Sequence, residues 1–334
     1  MLLERKAAKI LGLLAGCTLL LACIYLSISL GVVKTGWQDI LRAYSSFTGS
    51  NENIVIRDIR IPRALIGAAT GASLGIAGTL LQVLTRNPLA DTGILGINSG
   101  AAFFVVVSVS FFSVGSLSGF MWIAFAGAAI GGCLVYLIGS MGSGGMTPLK
   151  ITLAGAAVSA MASSFTHGLL VINEKTLNEV LFWLTGSVQG RKLEMLLSVL
   201  PYMIIAWIGA FIIARPLNIL LMGDDVAKSL GQRTVQTKIA AGVLVILLSG
   251  SSVAIAGPIA FVGLVAPHTA RHLTGTDLRW SVPYSGCVGA ILLLVADILA
   301  RFVAMPGEIP VGVMTAIIGS PFFILIARRK GVKA

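Results

Sequence analysis

The sequence predicts an all-α polytopic membrane protein with about ten transmembrane helices. Of the 334 residues, 56% are hydrophobic and only 11% are charged, and the mean hydropathy is +0.95. A soluble globule of this length needs more polar surface than this composition supplies. The 24 Lys and Arg residues outnumber the 13 Asp and Glu residues. They lie in short breaks between apolar runs, not on one polar face, so we expect no nucleic-acid partner.

Ten apolar runs, separated by polar breaks, define the candidate spans. They lie at residues 8–30, 61–84, 94–110, 117–139, 147–172, 193–214, 235–256, 258–267, 280–303 and 311–327. An even number of spans places both termini on one side of the membrane. If that side is the cytoplasm, most of the Lys and Arg residues fall in cytoplasmic segments, which agrees with the positive-inside rule. We therefore expect both termini in the cytoplasm.

The first run contains a misleading motif. LAGC at residues 14–17 resembles a lipoprotein cleavage box, but the apolar run continues past Cys17 and Cys23, where a lipidated cysteine would be followed by a polar stretch. We expect an uncleaved helix. Cys133 and Cys287 also lie in apolar runs, and no CxxC spacing occurs, so the four cysteines indicate packing and not a disulfide or a metal site.

Glycine recurs every four residues along the second run, at Gly67, Gly71 and Gly75. This small-xxx-small pattern lets a neighbouring helix backbone approach closely in lipid. Gln82 lies seven residues after Gly75, on the same helix face. Two interpretations stay open and are compatible: a packing ridge with one polar contact, or a helix that lines a pathway or faces another subunit.

The run at residues 258–267 is too short for an ordinary span, which needs about 20 residues. Gly257, Pro258, Gly263 and Pro267 interrupt it, so the sequence predicts a short, broken span. His268 and His272, which follow at i, i+4 spacing, have the spacing of a helical metal pair. They lack a following glutamate and flank Arg271, so we expect no metal site.

A polar loop at residues 215–238, RPLNILLMGDDVAKSLGQRTVQTK, has its own apolar pattern. Leucines and Val226 alternate with polar residues, and two glycines supply bends, which predicts two short helices joined at a turn. The loop either packs on its own bundle or docks a soluble partner.

Five stretches carry a resemblance to a known family. They are RIPRALIGAATGASLGIAGTLLQVLTRNPLADTGILGINSGA (60–101), FWLTGS (182–187), MGDDVAKSLG (222–231), AGPIAFVGLVAPHTAR (256–271) and ADILARFVAMPGEIPVGVMTAIIGSPFF (296–323). In this order they resemble the signature blocks of the FecCD family, the permease subunits of ABC importers for iron siderophores, haem and cobalamin.

The resemblance implies a single transmembrane permease domain over residues 1–334 with a cobalamin-importer-like fold, and a coupling-helix loop at about 215–233. It implies a multi-pass protein of the bacterial cytoplasmic (inner) membrane that uses no cofactor. The implied partners are a second permease subunit, identical or a sister chain, two ABC ATPase subunits, an extracytoplasmic substrate-binding protein and the lipid bilayer. We expect a ferric siderophore as substrate, with haem or cobalamin as alternatives.

The resemblance also assigns site residues by their places in the matching blocks. We expect the binding protein to dock at Arg60, Arg63 and Arg301. We expect coupling to the ATPase through Leu217, Leu220, Leu221, Gly223, Asp224, Ala227, Leu230 and Gly231. Expected along the pathway and gate are Gln82, Asn87, Pro88, Thr147, Pro148, Gly257, Pro258 and Gly263, with the cytoplasmic gate in SGGMTPLK at 143–150. Within the family the broken span lies next to the pathway, where irregular backbone is tolerated.

Other interpretations fit the residues less well. Arginines at helix ends also serve as membrane anchors, so docking and anchoring stay as alternatives for Arg60, Arg63 and Arg301. An ion-driven secondary transporter needs an ionisable group at mid-membrane, but Asp297, four residues before Arg301, predicts an internal ion pair. The chain has no Gly-Lys dipeptide and hence no GxxxxGK[ST] loop, and no catalytic constellation, so we expect a transport subunit and not an enzyme.

Overall fold

The computed structural model describes residues 3–31, 51–141, 147–304 and 307–331, and these ranges contain helices and no β-strand. The helices are α1 (Lys6–Ser29), α2 (Ile61–Leu84), α3 (Ile97–Phe112), α4 (Leu117–Ser140), α5 (Pro148–Ile172), α6 (Glu174–Leu184), α7 (Leu193–Leu220), α8 (Asp224–Ser229), α9 (Thr234–Ala256), α10 (Val262–Thr274), α11 (Leu278–Val303) and α12 (Val311–Gly331). A short helix, Asn51–Ile54, and a π-helical turn, Val55–Arg60, lead into α2, and a 3-10 turn, Thr92–Leu95, precedes α3.

Each of the ten predicted runs overlaps a helix, although the helix at the run 258–267 begins only at Val262 and continues to Thr274. The predicted fold class is confirmed. Seven helices in the described ranges are long and apolar enough to cross a membrane, namely α1, α2 with its π-helical turn, α4, α5, α7, α9 and α11. The apolar helices α3 and α12 are shorter, and α10 is the shortest of the predicted spans. Together they form one bundle in which α2 contacts α9, α10 and α11.

The helix α6 does not appear among the predicted runs. Glu174, Lys175 and Glu179 lower its hydropathy, although Val180 and Trp183 are buried against the bundle. Its start is set by Asn173, whose side chain accepts a hydrogen bond from the Thr176 amide at 3.1 Å. An N-cap of this kind ends the preceding helix α5 and begins α6 at one residue.

The glycines of α2 bring its backbone against two other helices. A methyl group on Gly71 would lie 2.4 Å from the Gly289 carbonyl oxygen of α11, and one on Gly78 would lie 1.9 Å from the Gly263 carbonyl oxygen of α10. No side chain fits at such distances, so only glycine permits these contacts. The packing-ridge interpretation is therefore confirmed, and the ridge continues to Gly78.

Only one of the two short helices predicted for the loop at residues 215–238 is a separate helix. The helix α7 continues through Pro216 to Leu220, so the first of the two expected short helices is the end of a long span. Leu217 and Leu220 are fully buried, and their packing stabilises this last turn although Pro216 lies within it. The second expected helix exists as α8, Asp224–Ser229.

Candidate functional site

The broken span begins where α9 ends at Ala256. Gly257 (φ +73°) and Phe261 (φ +69°) have left-handed backbone conformations, and the residues between them are not helical. A methyl group on Gly257 would lie 2.3 Å from the Trp183 carbonyl oxygen. The Ser187 amide donates to the Ala256 carbonyl at 2.7 Å. Irregular backbone in lipid requires internal partners of this kind, and the end of α6 supplies them here.

A buried carboxylate lies at the start of α10. The Phe261 amide donates to Asp91 Oδ2 at 2.9 Å, and the Thr92 amide donates to Asp91 Oδ1 at 2.8 Å. Burial raises the pKa of Asp91, while the two amide hydrogen bonds act in the opposite direction. A negative charge at a helix N-terminus is also favoured by the helix dipole. The sequence analysis missed Asp91, although an Asp that precedes Thr-Gly at a helical turn is a capping signal.

Gln82 joins the end of α2 to α10. Its Nε2 donates to the carbonyls of Ala90 (3.2 Å) and Gly263 (3.3 Å), and its Oε1 accepts a hydrogen bond from Arg271. Because both ends of the amide are bonded inside the chain, Gln82 acts as a clamp between α2, the following loop and α10.

Asn87 shapes the loop that Gln82 holds. Its Oδ1 accepts from the Leu89 amide at 2.9 Å, which makes a turn around Pro88. The structure thus brings four predicted pathway residues, Gln82, Asn87, Pro88 and Gly263, to one place beside Asp91. We call this place the α2–α10 junction.

Of the predicted gate loop, only its final residues lie within the described ranges, since residues 142–146 lie outside them. Thr147 is the N-cap of α5, and its Oγ1 accepts from the Lys150 amide at 3.3 Å. Pro148 occupies the first position of α5, where its missing N–H costs nothing. Thr147 and Pro148 therefore fix where α5 starts.

The predicted coupling residues divide into a buried and an exposed set. Leu217, Leu220 and Ala227 are fully buried and hold α8 on the bundle. Gly223 (φ +120°) and Gly231 (φ +78°) make the turns on either side of α8. Four neighbouring apolar side chains are exposed and form what we call the α8 apolar patch, which consists of Leu221, Met222, Val226 and Leu230.

Asp224 links α8 to two spans. Its carboxylate pairs with Arg86 at 2.8 Å, just after α2, and with Lys238 at 2.6 Å, on α9. Arg86 lies four residues after Gln82, so Asp224 connects the α8 apolar patch to the α2–α10 junction. The role of Arg86 was missed because no local spacing relates it to residue 224.

A second polar contact ties the end of α7 to the start of α11. Asn218 Nδ2 donates to Asp277 Oδ1 at 2.7 Å, and the Leu278 amide donates to Asn218 Oδ1 at 2.9 Å. Asp277 also accepts hydrogen bonds from Arg279, which is the largest cause that lowers its pKa to about 2. Asp277 is therefore ionised at neutral pH and caps α11.

The three predicted docking arginines form a buried cluster at the opposite end of α2. Arg63 makes hydrogen bonds to both oxygens of Asp297 (2.8–3.0 Å) and pairs with Glu308 at 2.7 Å. Arg301 also pairs with Asp297, which confirms the predicted ion pair. The side chains of Arg60, Arg63 and Arg301 have partners within the chain, and each residue is only 6–7% exposed.

The same cluster holds the end of α1. Arg301 donates to the Ser27 carbonyl at 2.7 Å, and Arg60 donates to the Ile28 carbonyl at 2.9 Å. Cations are favoured at the C-terminus of a helix, where carbonyls lack intrahelical partners. We call Arg60, Arg63, Asp297, Arg301 and Glu308 the arginine cluster.

The two histidines of α10 do not form part of a metal centre in the described ranges, where no group of three or more His, Cys, Asp and Glu side chains could hold a metal ion. The ring of His268 instead makes an edge contact with Phe322 at 5.4 Å between centroids.

Comparison with known proteins gives a consistent result. The model of the FecCD transport family matches residues 19–329. The probable siderophore transport system permease protein YfiZ of Bacillus subtilis is 49% identical over 98% of this chain and 99% of its own length. The Fe(3+)-citrate import system permease protein YfmD of the same organism is 41% identical over 98% and 97%. The ferric enterobactin transport system permease protein FepD of Escherichia coli is 40% identical over 97% and 96%.

A solved structure has the same fold. A chain of a metal-chelate type ABC transporter in an inward-facing conformation superposes with a TM-score of 0.84, at 28% identity, over 95% of this chain and 98% of that chain.

Proposed function

Because the chain belongs to the FecCD transport family, we propose that it carries a ferric siderophore across the membrane. The family consists of permease subunits of ABC transporters, and the chain is a multi-pass inner-membrane permease of that class. The observation that carries the choice of substrate is the 49% identity, over nearly the whole chain, to a permease named for siderophore transport. The relatives named for ferric citrate and ferric enterobactin also handle iron chelates, and none of these three names refers to haem or cobalamin.

The proposed orientation places α8 and both termini in the cytoplasm. Arg86, Lys228, Arg233 and Lys238 lie at the α8 end of the bundle, which is the distribution that the positive-inside rule favours for a cytoplasmic face.

The proposed ATPase contact is the α8 apolar patch. Neighbouring exposed apolar side chains outside the bilayer mark a contact with another protein, and in this patch Met222 and Leu230 are 68% and 65% exposed. We expect a separate ATPase to supply the energy, because the family consists of permease subunits of ABC transporters.

The proposed contact with a second permease lies on α5. This helix exposes Leu153, Met161 and Phe165 beside the small residues Ser164 and Gly168. A methyl group on Gly168 would meet nothing within 4 Å, so this face has room for another helix. Small residues allow the close approach that drives helix association in lipid.

The proposed binding-protein surface is the end of the bundle that contains the arginine cluster. It stays a prediction that Arg60, Arg63 and Arg301 bind the substrate-binding protein directly, and the structure sets one condition for such binding. Each guanidinium group already has partners in the chain, so an acidic residue of the binding protein has to share it with Asp297, Glu308 or the end of α1. Charge complementarity of this kind raises association rates and weakens with salt.

The test is uptake by proteoliposomes that contain the permease with its ATPase. We expect uptake of a radio-iron siderophore that requires ATP and the binding protein and is unaffected by a protonophore. A complex with a hydrolysis-deficient ATPase is the control.

Two results would contradict different parts of the proposal. Uptake driven by an imposed proton gradient without ATP would mean a secondary transporter. ATP-driven uptake of haem or cobalamin in preference to any ferric siderophore would leave the importer class intact and overturn the substrate.

A further inference from the structure

A polar groove runs between α3 and α5 and is closed at one side by the end of α6 and the broken span. Its walls carry amide, hydroxyl and imidazole groups among small apolar residues. The lining residues are Gly93, Asn98, Ser99, Ala102, Ser159, Ser163, Thr166, His167, Leu170, Leu184 and Pro258. We call it the α3–α5 groove. So many polar side chains on membrane-spanning helices cost free energy unless they face water or a ligand.

Two of these groups lack hydrogen-bond partners within the described part of the chain. They are Asn98 Oδ1 and Ser99 Oγ. Asn98 is only 9% exposed, and a buried acceptor without a partner costs about 1–3 kcal/mol. A native protein retains such a group when something outside the chain completes it, either water or a passing solute.

The wall formed by α5 presents acceptors to the same space. The Thr166 hydroxyl donates to the Ala162 carbonyl at 2.7 Å, so its oxygen keeps its lone pairs for another donor. Ser159 is fixed by the Gly96 amide, which donates to its Oγ at 3.1 Å. The groove therefore combines oriented acceptors with the hydroxyl and amide donors of Ser99 and Asn98.

In the ranges the structure describes, the side chains that line this groove include no carboxylate, thiol, lysine or arginine, and one imidazole, that of His167. Carboxylates, thiolates and paired imidazoles are what a protein needs to take iron from a chelator. Neutral donors and acceptors instead match the oxygen-rich outer surface of an intact chelate. They bind weakly, and weak contacts let a solute leave as well as enter.

From these contacts we infer that the α3–α5 groove is a contact site for the intact ferric chelate during passage, and that Asn98 and Ser99 contribute to specificity. This inference rests on the proposed function. It extends the pathway prediction, because the groove includes Pro258 but no side chain of the α2–α10 junction or of the α8 apolar patch.

The experiment compares groove variants with matched controls in the proteoliposome system. Asn98→Ala with Ser99→Ala removes the two unpartnered acceptors, and Ser108→Ala on the same helix is its control, because the Ser108 hydroxyl is bonded to the Val105 carbonyl. Thr166→Val removes a groove oxygen with almost no change of shape. Thr152→Val is its control, because Thr152 makes the same bond to the carbonyl four residues earlier but lies outside the groove.

We expect kcat/KM for chelate uptake to fall about 3- to 10-fold in each groove variant, the value of one or two hydrogen bonds. Binding-protein-stimulated ATP hydrolysis should stay at the wild-type rate, so more ATP is spent per chelate. Uptake and ATP per chelate equal to those of the control variants would overturn the inference. If the Asn98 variant folds poorly, Thr166→Val decides. Failure of the proposed function would be recognised separately from failure of this inference, because wild-type vesicles would then import no ferric siderophore.

Discussion

At the scale of single residues, Asp297 is the centre of the arginine cluster. Its one carboxylate pairs with both Arg63 and Arg301, which come from α2 and α11, while Arg301 also holds the end of α1. Asp297 is 1% exposed. Removal of one partner from a buried ion pair leaves uncompensated charge, which is far more costly than the net value of the pair.

We therefore expect Asp297→Asn to destabilise the chain by about 3–5 kcal/mol and to lower its Tm in detergent. Asp58→Asn is the control, because it makes the same substitution at an exposed position, and it should leave the Tm unchanged. An unaltered Tm in Asp297→Asn would mean that the carboxylate does not hold the two arginines in the membrane-embedded protein.

The same contacts affect how docking is tested. Arg63→Glu would place a new acid beside Asp297 and Glu308, and Arg60→Glu would place one beside the Ile28 carbonyl of α1. Loss of uptake in the double variant would therefore report on folding as well as docking. A Tm measurement on the double variant separates the two causes, because a pure docking defect leaves the Tm unchanged.

At the scale of elements, α8 is a short helix with two distinct sides. Ala227 is buried against the bundle, whereas Val226 on the helix and Leu230 just after it are exposed. Asp224 at its first turn joins it to α2 and α9 through Arg86 and Lys238. If the α8 apolar patch is the ATPase contact, as proposed, these ion pairs are a direct connection from it to the α2–α10 junction.

We expect Leu221→Asp to reduce co-purification of the ATPase at least about 10-fold with unchanged membrane yield, because it places a charge in an apolar contact. Leu117→Asp is a matched control. Leu117 is exposed to the same extent, 43%, but lies at the start of α4, toward the end of the bundle with the arginine cluster. Wild-type co-purification of Leu221→Asp would show that the patch does not contact the ATPase.

The sequence predicted the positions of helices better than it predicted which side chains pair with one another. Hydropathy located the longer runs, because the length of an apolar run is set by bilayer thickness, and the short run at 258–267 stood out by its Gly and Pro residues. It missed α6, which is amphipathic, and it ended α7 early at Pro216, where tertiary packing outweighs the cost of the proline. The glycine ridge was visible as a local repeat, whereas the Asp224–Arg86 pair joins residues 138 apart and leaves no local pattern.

At the scale of the whole molecule, α2 connects the two ends. It starts at the arginine cluster, ends beside Asp224, and touches α10 and α11 backbone to backbone between these points. At about 1.5 Å per residue, its 24 residues extend over roughly 36 Å, which exceeds the thickness of the hydrocarbon core of a bilayer, about 30 Å. Any tilt of α2 therefore carries the broken span with it.

We expect Gly78→Ala to disturb this unit, because its new methyl group would overlap the backbone at Gly263. Overpacking of this kind costs about 1–3 kcal/mol, and transport should fall more than expression. Gly242→Ala on α9 is the control, since its nearest neighbour is a Tyr136 ring atom at 3.8 Å. Equal transport by the two variants would argue against a tight α2–α10 contact during the cycle.

The ion pair between Arg63 and Asp297 also has a consequence for synthesis of the chain. The two residues are 234 positions apart. At roughly 5–20 residues per second, the ribosome reaches Asp297 about 10 to 50 s after Arg63. During that interval Arg63 lacks Asp297, and the α2 glycines lack the α11 backbone, so this buried contact forms only after α11 has been made. Packing of α2 against α11 is therefore a late step in the assembly of this permease.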